Sequence, residues 1–200
     1  MEVFVNEDIK PEVCIATKVC PFPELWHCYD EQATEVEVLD FLYALVIMLK
    51  PRRVVETGCY NGFGTERLAK GCRENGFGVL YTCDISKEQV DNTVSRLKQG
   101  GYQGIIVNQC SGIQLIHTVA GAVDLAFLDS GPDENRCDEL RALYLKISPG
   151  GVVALHDTGI HGFLREKYLP PLLRELNMQY IYFDTPRGIT LCRKQPEIYP

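Results

Sequence analysis

The stretch Arg53-Val54-Val55-Glu56-Thr57-Gly58-Cys59-Tyr60-Asn61-Gly62-Phe63-Gly64-Thr65 decides the fold. Its first residues, Arg53 to Glu56, read as a short buried strand, and a helix is predicted from about Thr65 to Asn75 beyond the glycines. Gly58 and Gly62 let the backbone turn sharply and come close to a ligand, which a Cβ would block. The spacing is GxxxGxG rather than the GxGxxG of dinucleotide sites, whose helix N-terminus receives a pyrophosphate. A ligand without phosphate therefore suits this loop, with Glu56 as an acceptor for a cationic amine. The bland alternative is a turn that only connects strand to helix.

Working outward, strand and helix alternate. Ala33 to Lys50 is predicted to be a helix, with Val38, Leu42, Leu45 and Leu49 on one face, Thr34 as N-cap and Glu37 three residues on. Strands are predicted at Gly78 to Cys83, Gly104 to Asn108, Asp124 to Leu128 and Val152 to Leu155, the last introduced by the turn Ser148-Pro149-Gly150-Gly151. Helices fall at Lys87 to Gln99, Gly112 to Val119, Glu134 to Ile147 and about Phe163 to Leu176. Gln179 to Phe183 and Gly188 to Arg193, joined by Asp184-Thr185-Pro186-Arg187, form an antiparallel hairpin. The pattern is α/β: a doubly wound, mostly parallel seven-stranded sheet with a C-terminal hairpin. Residues 1–32, with Pro11, Pro21 and Pro23, read as an irregular lead-in or lid, and residues 33–200 as one domain.

Composition narrows the function classes. At 200 residues, the chain is long enough to bury a core without disulfides. A formal charge of −7 is the wrong sign for a phosphate-neutralising surface, so nucleic acid is not the expected partner. The longest apolar run, Phe41 to Leu49, is about half of the roughly 20 residues that cross a bilayer, and the acidic N-terminus lacks a secretory pattern. Nine cysteines, an odd number without a CxxC, read as reduced thiols in a cytoplasmic protein. Cys14, Cys20, His27 and Cys28 match none of the common zinc spacings. Oligomeric state leaves no pattern, and a homodimer is one compatible assembly.

In open α/β sheets ligands bind beyond the carboxyl ends of the strands. Asp84 there can accept hydrogen bonds from both hydroxyls of a ribose, because Ser86 is available to cap the next helix. Ser111 either meets an adenine edge or caps a helix. Asp129 and Asp157 end two strands that, as neighbours, would lie about 5 Å apart; together they could share one hard cation such as Mg²⁺, or each cap a helix.

Taken together, Glu56-x-Gly58-x-Tyr60-x-Gly62, Asp84, Phe127-Leu128-Asp129 and Pro149-Gly150-Gly151-Val152-Val153-x-x-His156-Asp157 resemble the class I S-adenosylmethionine-dependent methyltransferases. The resemblance is to the catechol and caffeoyl-CoA O-methyltransferase group and its bacterial relatives, and it spans roughly Ala33 to Arg193. It implies a Rossmann-like methyltransferase fold. Glu56, Gly58, Tyr60 and Gly62 would sit at the methionine part of S-adenosylmethionine, Asp84 at the ribose, Ser111 near the adenine and Asp129 beside the cofactor. Asp129 matches the first metal ligand of that group, and His156-Asp157 stands where those enzymes place an Asp-Asn pair.

One departure concerns mechanism. The catechol-type enzymes carry a lysine base three residues after the first metal ligand, where this chain has Pro132. His156, His161 and Asp133 are the substitute base candidates, in that order, because imidazole titrates near neutrality. Trp26 is read either as a lid over the substrate or as core packing. The expected activity is O-methylation of a small hydroxylated acceptor, assisted by a divalent cation. The alternatives are a cofactor-binding module without turnover and a nicotinamide oxidoreductase, the latter opposed by the missing GxGxxG.

Overall fold

Along the strand Arg53–Thr57 successive side chains enter two different apolar layers. Val54 packs with Leu39, Leu42, Leu68 and Leu125, and Val55 with Leu115, Ala126, Leu140 and Leu155. A strand buried on both faces belongs in the middle of a sheet covered by helices on both sides.

The computed structural model describes residues 12–13, 16–160 and 163–195. The lead-in holds two short antiparallel strands, β1 (Glu12–Val13) and β2 (His27–Cys28). There follow α1 (Val36–Leu49), β3 (Arg53–Thr57), α2 (Phe63–Asn75), β4 (Val79–Asp84), α3 (Lys87–Gln99), β5 (Ile105–Gln109), α4 (Gly112–Thr118) and β6 (Val123–Leu128). The chain ends with α5 (Asp133–Tyr144), β7 (Ile147–Leu155), a π-helical segment (Phe163–Tyr168), α6 (Leu169–Glu175), β8 (Met178–Phe183) and β9 (Ile189–Lys194). The seven-stranded sheet has the order β5-β4-β3-β6-β7-β9-β8. The strands from β5 to β7 are parallel, and β9 runs antiparallel to both of its neighbours. This is the doubly wound sheet with a C-terminal hairpin that the sequence pattern predicts.

Three local differences have physical causes. Helix α1 starts at Val36 rather than Ala33, because the Thr34 hydroxyl donates to Asp129 Oδ2 at 2.9 Å instead of capping the helix. Strand β7 starts at Ile147 and takes in Ser148-Pro149-Gly150-Gly151, expected to be a turn. Its pairing with β6 jumps from Val123↔Ile147 to Leu125↔Val152, so a bulge absorbs the extra residues. The single helix expected from Phe163 is divided, since Pro170 and Pro171 have no N–H to continue a hydrogen-bond ladder and instead suit the first turn of α6.

The lead-in is tied to the body of the domain: Thr17 N–H donates to Pro186 O at 2.9 Å. Trp26 packs into a groove beside Val38, Phe41 and Phe183 and is not among the residues lining the cleft at the ends of the parallel strands. Gln32 does reach that cleft.

Candidate active site

Winding outward in both directions from β3 opens a crevice at the carboxyl ends of β3 and its neighbours. The register aligns Thr57 with Cys83 on one side and Leu128 on the other, and Leu128 with Leu155. Gly58, Asp84, Asp129 and Asp157 thus meet around one cleft of about 570 Å³, with Ser111 at its far wall.

The glycine loop is held by its own backbone. Gly58 N–H and Cys59 N–H both donate to Cys83 O, at 3.0 and 2.9 Å. Gly58 has φ +78°, and a Cβ there would lie 2.5 Å from Asp129 O, so no other residue fits without movement. Tyr60, itself at positive φ, donates its N–H to Asp84 Oδ2 at 3.1 Å. The other Asp84 oxygen accepts from Ser86 N–H at 2.9 Å, while Ser86 caps α3 as expected. Asp84 is therefore fixed at the cleft wall, with acceptor capacity left on both oxygens.

Glu56 is completely buried on the α1–α2 face of β3. Its Oε2 accepts from the hydroxyls of Thr65 and Thr82, at 2.5 and 2.6 Å, and its Oε1 has no partner. Burial raises its pKa to about 7, against the opposing effect of the two threonines. Gly64 leaves room for this oxygen, since a Cβ at Gly64 would stand 2.6 Å from Oε1. A buried acceptor that lacks a donor, in a recess shared with Gly58 and Tyr60, could receive a donor group of a ligand.

Across the cleft stands a charged network. His156, 1% exposed, places Nδ1 3.0 Å from Asp129 Oδ1 and 3.3 Å from Asp157 Oδ1, and Nε2 2.6 Å from Glu35 Oε2. Burial opposes a charge on the ring, but Asp129, Glu35 and Asp157 outweigh it and raise the His156 pKa well above the usual value. Asp157, at φ +60°, is held by a fork from Arg187, Nε to Oδ1 at 2.7 Å and Nη2 to Oδ2 at 3.0 Å. Burial raises the Asp157 pKa, and His156 with Arg187 and Arg136 more than reverses that.

The other predicted residues fall differently. Gly62 is the N-cap of α2 at φ +81°, packed on Thr93. Ser111 lines the cleft, but its side chain closes a capping box with Gln114. Asp133 is bound to buried Arg136 at 2.7 Å. His161 lies outside the described residues, as does Cys14 of the cysteine group, and His27 of that group pairs with Glu37. Asp129, His156 and Asp157 do come together, their ligand atoms all within 4.8 Å of one another.

Glu35, Arg187 and Glu139 belong to the site without having been predicted. Glu139, 2% exposed on α5, accepts from the hydroxyls of Thr57 and Ser130 at 2.8 and 2.5 Å and forms part of the cleft floor. A Cβ on Gly112 would lie 1.9 Å from it. No local sequence signal marks Glu139, because it looks like any acid on a helix. Arg187 sits in the predicted hairpin turn, a weak signal that a cation is brought back to the sheet ends.

A family model described as a methyltransferase domain matches residues 55–158. The O-methyltransferase hkm8 of Aspergillus hancockii is 25% identical over 123 residues, which make up 60% of this chain and 48% of that protein, so the chain spans about half the length of this curated relative. Among solved structures, the Podospora anserina methyltransferase PaMTH1 bound to S-adenosylhomocysteine has a TM-score of 0.69 at 15% identity, over 82% of this chain and 80% of that one. The O-methyltransferase TomG of Streptomyces achromogenes, in complex with S-adenosylmethionine, has a TM-score of 0.69 at 17% identity, over 82% of each chain. A Bacillus cereus O-methyltransferase with S-adenosylhomocysteine has a TM-score of 0.67 at 14% identity, over 83% of this chain and 84% of that one. At these identities the structures share the fold, and the family match covers just over half of the 200 residues. The chain belongs to the methyltransferase-domain family.

Proposed function

We propose that the chain transfers a methyl group from S-adenosylmethionine to a hydroxyl of a small acceptor. The observation that carries this is the pair of acceptors flanking the Gly58–Tyr60 loop: the unpartnered, buried Glu56 Oε1 in the recess beside it and the fixed Asp84 carboxylate in the adjoining cleft. Glu56 would take the cofactor's ammonium and Asp84 its ribose hydroxyls, while Gly58 and Gly64 leave the space a Cβ would fill. The cofactor supplies a sulfonium methyl, so the task left to the chain is alignment, an effect that can contribute roughly 7–11 kcal/mol. Ser111, as a cap, shapes the wall near the adenine rather than reading it.

A second cavity of about 560 Å³ adjoins the cleft and shares Gly131, Arg136, Asp157 and Arg187 with it. Its wall adds Pro132, Asp133, Glu134 and Tyr168, which suits a small hydroxylated acceptor lying beside Asp157. Asp129, His156 and Asp157 offer oxygen and nitrogen donors at a spacing that fits a divalent cation. Such a cation, when held, lowers the pKa of a hydroxyl coordinated to it. His156 then acts as a fixed ligand rather than a base, because both ring nitrogens already face carboxylates. Asp133 is committed to Arg136, which favours the same division of labour.

The buried thiols Cys59, Cys72, Cys83, Cys137 and Cys192 support a reducing, cytoplasmic setting. No described helix is long and apolar enough to cross a membrane. A second reading, a module that binds cofactor without turnover, is favoured by the absence of a free base among the described candidates. The test is label transfer from methyl-labelled S-adenosylmethionine to a panel of hydroxylated acceptors, with and without divalent ions. Labelled ether product confirms the enzyme, and cofactor that binds but is not consumed with any acceptor selects the binding module.

A further inference from the structure

We propose that the cation taken by this site is a borderline transition ion of the iron(II), cobalt(II) or zinc(II) class rather than Mg²⁺, because His156 Nδ1 is one of its ligands. The role of the cation rests on the methyl-transfer reading above; its identity rests on the donor atoms.

Spacing is the first ground. Nδ1 stands 3.0 Å from Asp129 Oδ1 and 3.3 Å from Asp157 Oδ1. Two ligand atoms at right angles on an ion with bonds of about 2.1 Å are about 3 Å apart. Nδ1 is thus about one coordination edge from each carboxylate oxygen, and all three donors lie within 4.8 Å of one another, with Asp157 Oδ1 also held by Arg187 Nε at 2.7 Å.

Orientation is the second. Glu35 Oε2 lies 2.6 Å from Nε2, and Glu35 is itself held by Arg187 N–H at 2.8 Å and the Thr185 hydroxyl at 3.2 Å. A carboxylate on the remote ring nitrogen sets the tautomer whose other nitrogen faces the ion and makes that nitrogen a better donor. Glu35 has no exposure at all, so this contact is shielded from water.

Charge is the third. Arg136 is taken by Asp133 at 2.7 Å, its other contact with Asp157 being 3.5 Å. Three carboxylates, Glu35, Asp129 and Asp157, converge on His156, with Arg187 as the close guanidinium. Mg²⁺ favours all-oxygen shells, whereas imidazole suits iron, nickel and zinc, so one histidine in the shell shifts the preference toward the latter group.

The full chain, bound to S-adenosylhomocysteine, is titrated with Co²⁺ while visible absorption and proton NMR are recorded, and Mg²⁺ is then added in competition. Expected are cobalt bands that excess Mg²⁺ fails to remove, and a paramagnetically shifted, slowly exchanging N–H resonance from the Nε2 proton that Glu35 shelters. His156→Asp, which makes the shell all oxygen, removes that resonance and narrows the Co²⁺ over Mg²⁺ preference by about tenfold or more. The resonance needs only the native chain, so a poorly folded variant does not rescue the idea. Failure of Co²⁺ to bind, equal binding of Mg²⁺, or bound Co²⁺ without the shifted N–H would each overturn the proposal. S-adenosylhomocysteine binding in the same samples separates this from the functional reading: bound thioether without Co²⁺ refutes the metal inference alone, and absence of both refutes the functional reading as well.

Discussion

The two walls of the cleft are built by different means. The wall of Gly58, Tyr60 and Asp84 is closed by backbone bonds between adjacent strands, and its side-chain contact spans 24 residues of sequence. The wall of Asp129, His156 and Asp157 is closed by side-chain pairs with Glu35, 121 residues from His156, and with Arg187, which is itself bonded to Glu35 across 152 residues. The first is a property of one βαβ unit. The second exists only when the start of the domain, the ends of β6 and β7 and the C-terminal hairpin meet. The difference teaches that cofactor seating and acceptor chemistry depend on separate parts of the chain and should fail separately.

The largest expected effect lies on the charged wall. Glu35→Ala leaves His156 facing acids without its partner and Arg187 without its backbone tether, and removing one member of a buried pair costs about 3–5 kcal/mol. Denaturant unfolding measures this, while affinity for S-adenosylhomocysteine should stay within about threefold, as distant sites add independently. A collapse of affinity at retained stability would break the comparison. On the other wall, Gly58→Ala meets Asp129 O and an adverse φ, so it weakens the thioether by about 10- to 100-fold, equivalent to 1–3 kcal/mol of strain. Asp84→Ala follows, with about a tenfold loss from the missing ribose acceptor; unchanged affinity removes Asp84 from the site.

A pH series sharpens the contrast. Glu56 is raised from 4.5 to about 7, so the folded protein keeps it neutral in a range where the unfolded chain ionises it. Its contribution to stability therefore falls as pH rises from 4.5 to about 7 and levels off above, once both states are ionised. Cofactor affinity runs the other way: it increases as pH passes through about 7, because the ammonium needs the carboxylate. Calorimetry across pH 6 to 8 should lose this slope in Glu56→Gln. The smallest effect is Ser111→Ala, which removes a cap worth about 1 kcal/mol and lowers the melting temperature with little change in affinity.

How much of this is legible in the sequence follows from the same division. The sheet, its hairpin and the glycine loop are written in local pattern: apolar runs such as Val54-Val55, glycines at sites needing positive φ, and acids at strand ends. Asp84 could be found because β4 ends there and Ser86 takes the capping duty. Glu35 could not, because Thr34 and Glu37 imitate a capping box and only a histidine 121 residues away shows what the intervening acid is for. Ser148 to Gly151 read as a turn and form part of β7, because a bulge and a turn use the same residues. For Trp26 the sequence leaves lid and core packing open, because aromatic residues in a lead-in say nothing about which side of α1 they meet, and it packs against Val38 and Phe41.

The most direct test of the central claim is calorimetric titration of the chain with S-adenosylhomocysteine, with NADH as the parallel control. Micromolar binding of the thioether, weakened about tenfold in Asp84→Ala, and no binding of NADH is the predicted result. Binding of NADH in place of the thioether, or of neither, would contradict the assignment of Glu56, Gly58 and Asp84 to an S-adenosylmethionine site.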